Sequence, residues 1–185
     1  MLLRMLAVLV LLPALASAAT WRIDPGTFII ADVLWRGASV AVNFPAPQGT
    51  ISFDPERPEL AKAELTVAAG AATTGVGPVD ALVRSEGYLD SARFPAITFN
   101  LDRLIRTSSS TADVEGRMTL RGVTRPVRFA ARVVRYGPAE DDPDRFEAGF
   151  DLTGAIDRTE FGSTGGLPEV PARLPIRIRL LMSSQ

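Results

Sequence analysis

From Leu174 to Met182 every second residue is apolar: Leu174, Ile176, Ile178, Leu180 and Met182 share one face, and Arg177 and Arg179 point the other way. A two-residue period gives a helix no single apolar stripe, so the segment has to be a strand with one dry and one wet face. The same count sets Phe146, Ala148, Phe150 and Leu152 against Glu147 and Asp151, and Val127, Phe129, Ala131 and Val133 against Arg128 and Arg132. Further strands are expected at 51–54, 63–68, 97–101 and 114–120. Between Met118 and Phe129, Gly122 supplies a tight turn with Pro126 just beyond it, which reads as a hairpin.

Two stretches depart from this pattern. In 28–44, Asp32 and Arg36 fall on the same face as Ile30 and Leu34, which predicts two strands or one bent strand. In 78–90, Val79, Leu82 and Val83 are spaced as on a helix, preceded by Gly75 and Gly77, so a short helix is expected to close one end of the fold. Seven or eight alternating strands with hairpin-length breaks favour a closed barrel or a sandwich over any parallel crossover fold. A barrel of about eight strands leaves an interior that side chains fill or that holds one small ligand.

The hairpin segment, with Tyr88-Leu89-Asp90-Ser91-Ala92-Arg93-Phe94-Pro95-Ala96-Ile97-Thr98-Phe99 before it and Ile156-Asp157-Arg158-Thr159-Glu160-Phe161-Gly162 after it, resembles the YceI-like family of bacterial envelope proteins. Trp21-Arg22-Ile23-Asp24-Pro25 and Gly49-Thr50-Ile51-Ser52-Phe53-Asp54 carry the likeness toward the N-terminus. The resemblance implies an all-β fold, an eight-stranded antiparallel lipocalin-like barrel with the short helical segment near 78–90. It also implies that the interior binds a polyisoprenoid or an isoprenoid quinone without performing chemistry on it. The family usually carries His after the Asp-Pro pair and again near the end of the next strand. Those positions here are roughly Thr27 and Arg36, and the chain has no His at all.

Residues 1–18 hold one cation, Arg4, an apolar stretch from Met5 to about Ala14, and then Ala16-Ser17-Ala18, the small-residue pattern of a cleaved secretory signal. The apolar stretch is about half the roughly 20 residues a membrane span needs. Signal 1–18 and one barrel domain, 19–185, are therefore expected, with the product in the periplasm. No Cys follows the signal to take a lipid anchor. Losing Arg4 moves the formal net charge from -1 to -2, which excludes an electrostatic nucleic-acid binder.

With no Cys and no His, the chain lacks disulfides, thiol chemistry and the commonest neutral metal ligand and base, so no metal is expected. Glu140, Asp141, Asp142 and Asp144 form an oxygen-rich cluster, but Pro138 and Pro143 flank it without the Gly-centred spacing of a calcium loop, and it reads as a solvated hairpin tip. Gly70 to Gly77 and Gly162 to Gly166 lack the Lys-Ser or Lys-Thr of a phosphate loop; the second reads as a movable rim at a pocket mouth or as a plain loop. Lys62 is the only lysine available to a Ser-Lys pair, and nothing in the sequence separates the acidities of Asp24 and Asp157, so no catalytic residue is assigned.

The expected function is binding or carriage of a long-chain isoprenoid lipid or isoprenoid quinone by a monomer or homodimer, with no cofactor beyond that lipid. Phe53, Leu65, Val67, Phe99, Leu101, Met118, Leu120, Phe129, Phe150 and Leu152 are the expected interior lining, and each serves equally as plain core. Arg121, Arg125 and Arg158 are head-group candidates through charge-assisted hydrogen bonds, with loop-tying as their alternative role. Burying about 300 Å² of tail at about 25 cal/mol per Å² contributes roughly 7 kcal/mol before entropic losses, so the missing imidazoles are not essential for binding. The alternative is a non-catalytic module that docks on a membrane redox or stress-response protein, its interior filled by Phe99, Phe129 and Phe150.

Overall fold

Ten antiparallel strands form in the computed structural model, which describes residues 19–184; the expected signal, 1–18, lies outside the described residues. In chain order they are β1 (Ala19–Ile23), β2 (Phe28–Trp35), β3 (Ala38–Pro45), β4 (Gln48–Phe53), β5 (Lys62–Ala68), β6 (Ala96–Arg106), β7 (Thr111–Leu120), β8 (Val123–Pro138), β9 (Phe146–Asp157) and β10 (Arg173–Ser184), with one helix, α1 (Gly77–Arg84), between β5 and β6. Neighbours run β1, β4, β5, β6, β7, β8, β9, β10, and β10 pairs back onto β1. That ring is a closed eight-stranded barrel. The β2–β3 hairpin continues its wall upward, because β10 carries β1 on the C-terminal part of one edge and β2 on the N-terminal part.

The chain between β1 and β2 is thus one wall position broken at Asp24 to Thr27. The break would leave Leu181 of β10 without a ladder partner on that edge. The Asp24 N–H donates to the Leu181 carbonyl, and the Thr27 hydroxyl donates to that carbonyl and accepts from the Leu181 N–H. β3 and β4 break in the same way at Pro45-Ala46-Pro47, where Ala46 has φ +49°. Of the alternatives for 28–44, the structure has two strands, joined by the two-residue turn Arg36-Gly37 with φ +51° and +82°. Arg121-Gly122 makes the same turn between β7 and β8, with φ +52° and +73°, the primed geometry that matches strand twist.

Alternation sorts each strand into an inner apolar and an outer charged row. Ile29, Ala31, Val33 and Trp35 point inward from β2, and Asp32 turns outward to meet Arg177 of β10 in a two-pronged ion pair at 2.6 and 2.8 Å. Arg132 and Arg179 share Asp151 from either side, and Arg128 reaches Asp113. The acidic cluster forms the β8–β9 turn, where Arg145 pairs with Asp141. Helix α1 starts with Pro78 in its first turn and stops at Arg84, short of the expected 90, because the chain folds back in turns through Asp90. Asp80, buried, ties α1 to the loop before it: it accepts from the Thr74 N–H and hydroxyl at 2.5 and 2.6 Å and from the Thr73 hydroxyl at 2.7 Å.

Candidate functional site

The barrel has an open end and a closed end. At the open end lie the Arg36-Gly37 turn, α1 and the turns after it, the Arg121-Gly122 turn and the long β9–β10 connection; at the closed end lie the β4–β5, β6–β7 and β8–β9 turns and Ser184. A cavity of about 420 Å³ fills the half toward the open end. Its wall is Val, Ile and Leu from β2, β3, β5, β6 and β10, with Met118 and Leu120 of β7 and Leu152 of β9. Val79, Leu82 and Val83 of α1 close part of the top, the role expected of a helix here.

Phe99 and Phe129 make the floor, their ring centroids 6.3 Å apart and their planes at 70°. Each ring lies flat against the sheet because the strand beside it carries glycine. A Cβ on Gly116 would stand 2.5 Å from the Phe99 ring, and one on Gly154 would stand 2.6 Å from the Phe129 ring. Beneath the floor the interior is solid. Trp21, Ile51, Ala148 and Met182 are buried there, Phe53 packs edge-on against Phe150 at 5.7 Å, and Trp21 contacts Phe53 and Tyr136.

Of the ten expected lining residues, Leu65, Val67, Phe99, Met118, Leu120, Phe129 and Leu152 border the cavity. Phe53 and Phe150 belong to the solid half, and Leu101 packs against the core without reaching the cavity. Alternation fixes which face a residue takes but not its height along the barrel axis. The list omitted Ile29, Ala31 and Val33 of β2 and Val40 and Val42 of β3, hidden by the irregular reading of 28–44. It also omitted Leu174, Ile176 and Ile178, whose strict alternation was the signal that points them inward.

The three arginines separate. Arg125 is exposed and donates to the neighbouring Thr124 carbonyl. Arg121 donates from the β7–β8 turn to the carbonyls of Glu86 and Tyr88, at 2.6 and 3.0 Å. Arg158 is 3 % exposed and borders the cavity. Its guanidinium is threaded through the β9–β10 connection, donating to the carbonyls of Pro171, Ser163 and Val170 at 2.9, 2.9 and 2.7 Å, beneath the Tyr88 ring. Burial holds its pKa below the ordinary guanidinium value. Beside it, Asp157 accepts from the Thr159 hydroxyl and N–H, which hold its carboxyl below the usual aspartate range, while Asp24 lies in the β1–β2 break, bonded to Ser183.

The glycine-rich stretch 162–166 is packed: Gly165 donates its N–H to the Gly87 carbonyl at 2.7 Å, and a Cβ there would meet the Tyr88 ring. The cover over the β7–β10 side is therefore stitched down. The mouth lies opposite, where Trp35 and Leu82 are both cavity wall and exposed surface, at 43 % and 50 %. Thr27, at the first of the two family positions that lack His, borders the cavity with its hydroxyl engaged by Leu181; Arg36, at the second, lies outside, its guanidinium over the Trp35 ring.

The fold resembles that of Burkholderia cenocepacia BcnA, with a TM-score of 0.76 at 18 % identity over 86 % of this chain and 99 % of that one. It also resembles a polyisoprenoid binding domain from Saccharophagus degradans implicated in plant cell wall breakdown, with a TM-score of 0.67 at 13 % identity over 91 % of this chain and 99 % of that one. A UPF0312 protein of Pseudomonas savastanoi pv. phaseolicola is 32 % identical over 120 residues, 65 % of this chain and 62 % of that protein, so the chain spans less than two thirds of that relative's length. The family model of the YceI-like domain matches residues 21–182, nearly the whole barrel, and the chain belongs to the YceI-like family.

Proposed function

We propose that the chain is a periplasmic carrier that shields the tail of an isoprenoid lipid or isoprenoid quinone in the open half of its barrel and performs no chemistry on it. The observation that carries this reading is the cavity: about 420 Å³, walled by aliphatic side chains, floored by Phe99 and Phe129 and open at Trp35 and Leu82. That volume falls among those of sites for drug-sized ligands, about 300–1,000 Å³. Its few polar side chains are mostly engaged within the protein, so the site favours a ligand through burial of apolar surface rather than through a directed contact. The head group then sits at the mouth, near Trp35 and Leu82, and the tail reaches under the cover formed by Tyr88, Ser163 and Arg158. All three arginines hold backbone carbonyls, and Arg158 is the one of them that also borders the cavity. The polyisoprenoid named for the Saccharophagus domain agrees with this class of ligand.

Native mass spectrometry with lipid extraction tests the reading, on protein purified without detergent from the envelope of its host. The expected result is a co-purifying isoprenoid, lost in Met118→Trp while circular dichroism of the barrel is unchanged. A barrel recovered free of lipid, or a Met118→Trp protein that retains it, overturns the proposal, and a lipid-free barrel turns attention to the docking-module alternative. Fractionation of the host cell tests the location.

A further inference from the structure

The two ends of the barrel differ in charge as well as in filling. The β4–β5 and β8–β9 turns at the closed end carry Asp54, Glu56 and Glu59 and then Glu140, Asp141, Asp142 and Asp144, against Arg57 and Arg145 alone. At the mouth, the β2–β3 tip has no carboxylate between Asp32, which is held by Arg177, and the end of β3. Arg36 is its one charge, and its guanidinium sits 5.5 Å above the Trp35 ring.

Around that tip, Leu34, Val76 and Leu82 are 54 %, 54 % and 50 % exposed. Trp35 and Leu82 belong both to this exposed surface and to the cavity wall. Exposed apolar surface that runs into a cavity marks an interaction site. An aromatic ring with a stacked cation suits the boundary between acyl chains and anionic phosphates, where indole is amphipathic and arginine pairs with phosphate.

We infer that the β2–β3 tip and the facing side of α1 dock on a phospholipid bilayer carrying anionic head groups, with Trp35 and Leu82 at the acyl boundary and Arg36 on phosphate. The inference rests on the carrier reading, since it supplies a route from bilayer to cavity that never crosses water. The acidic turns at the other end are repelled by the same surface, which fixes the orientation. Tyr136 and Phe146 are exposed at that end too, at 46 % and 38 %, but beside those carboxylates, and they serve as the control.

The chain has two tryptophans, and Trp21 is 3 % exposed inside the solid half, so quenching by a lipid-borne quencher reports on Trp35. The full chain is mixed with vesicles of phosphatidylcholine and phosphatidylglycerol in which part of the acyl chains are brominated. A leader joined at Ala19 enters the barrel at the closed end, so membrane attachment through it leaves Trp35 unquenched. The expected results are quenching of at least about half the Trp35 emission, its loss in Leu82→Ser, and vesicle affinity about fivefold lower in Arg36→Asn, a residue that accepts the positive φ of that turn.

Unquenched Trp35 in vesicle-bound protein overturns the inference. So does binding abolished by Tyr136→Ser with Phe146→Ser, or self-association that Leu82→Ser removes. Lipid uptake from detergent micelles is measured in parallel. Uptake without vesicle docking sinks this inference alone, and docking of a protein that takes up no lipid sinks the carrier reading alone.

Discussion

The open and closed halves of the barrel share β5 to β10 and differ in the rest of the wall, β2 and β3 in one and β1 and β4 in the other, and one is hollow while the other is solid. In the solid half Trp21, Phe53, Phe150 and Met182 meet across the interior, whereas in the hollow half aliphatic side chains face one another across about 420 Å³. Eight strands give a bore close to the limit that side chains can fill, so residue size at each level decides between core and cavity. The protein separates two tasks along one axis: the closed half supplies packing density and the open half gives up part of it for space. The boundary is the pair of Phe rings lying on Gly116 and Gly154.

Truncation is the most direct way to break this contrast. Trp21→Ala removes a side chain packed on every side and is expected to cost about 3–5 kcal/mol. Leu152→Ala, on a wall that already borders empty space, is expected to cost clearly less, because its side chain has fewer partner atoms to lose. Denaturant titration of both variants measures the difference, and equal costs would remove the distinction between the halves. Next in size, Gly116→Ala and Gly154→Ala each crowd a ring and also a carbonyl of the neighbouring strand, that of Asn100 and that of Arg128 respectively, so ring and strand must both shift, at about 1–3 kcal/mol or more. The displaced ring rises into the cavity, so a crystal structure of either variant is expected to show a shallower cavity.

The dependence on pH sharpens the picture of what holds the wall from outside. Asp32 is held below the ordinary aspartate value of 3.8 by hydrogen bonds from Arg177, Asp151 by those from Arg179, and Asp80 by those from Thr74. Each is a stronger acid folded than unfolded. As pH falls below about 3.8 the unfolded chain takes up protons first, and stability declines through the lower folded values. With no His to titrate, thermal melts are expected to be flat from about pH 5 to 8 and to fall steeply only in acid. The smallest effect is the outer pair itself: a double-mutant cycle on Asp32 and Arg177 is expected to give about 0.2–1 kcal/mol, reduced by salt.

The fold was legible where its determinants were local. The alternation from Leu174 to Met182 matches β10, and Gly122 marks a real hairpin turn. The breaks at 24–27 and 45–47 were not legible, because what satisfies them is distant: Leu181 receives the Thr27 hydroxyl across 154 residues. Asp32 shares a face with Ile30 and Leu34, as the spacing implied, but only the partner 145 residues away shows that this face is the outer one. The cavity wall was half legible for the same reason. Inward-facing Phe53 and Phe150 differ from inward-facing Leu65 and Leu152 only in level along the axis, which strand pairing sets.

Above Asn43, β3 has β2 on one edge and, among the described residues, no strand on the other; a single bridge to Thr73, two hydrogen bonds of 2.8 and 2.9 Å, laces that seam. The ladders from β6 to β10, by contrast, run over eight to eleven paired residues each. If the barrel carries a lipid as proposed, this seam is its zip fastener: swinging the hairpin arm away from α1 would widen the doorway while the remaining wall stayed laced. Loading and release would then be governed by how often that seam parts, a local event much cheaper than unfolding the cylinder.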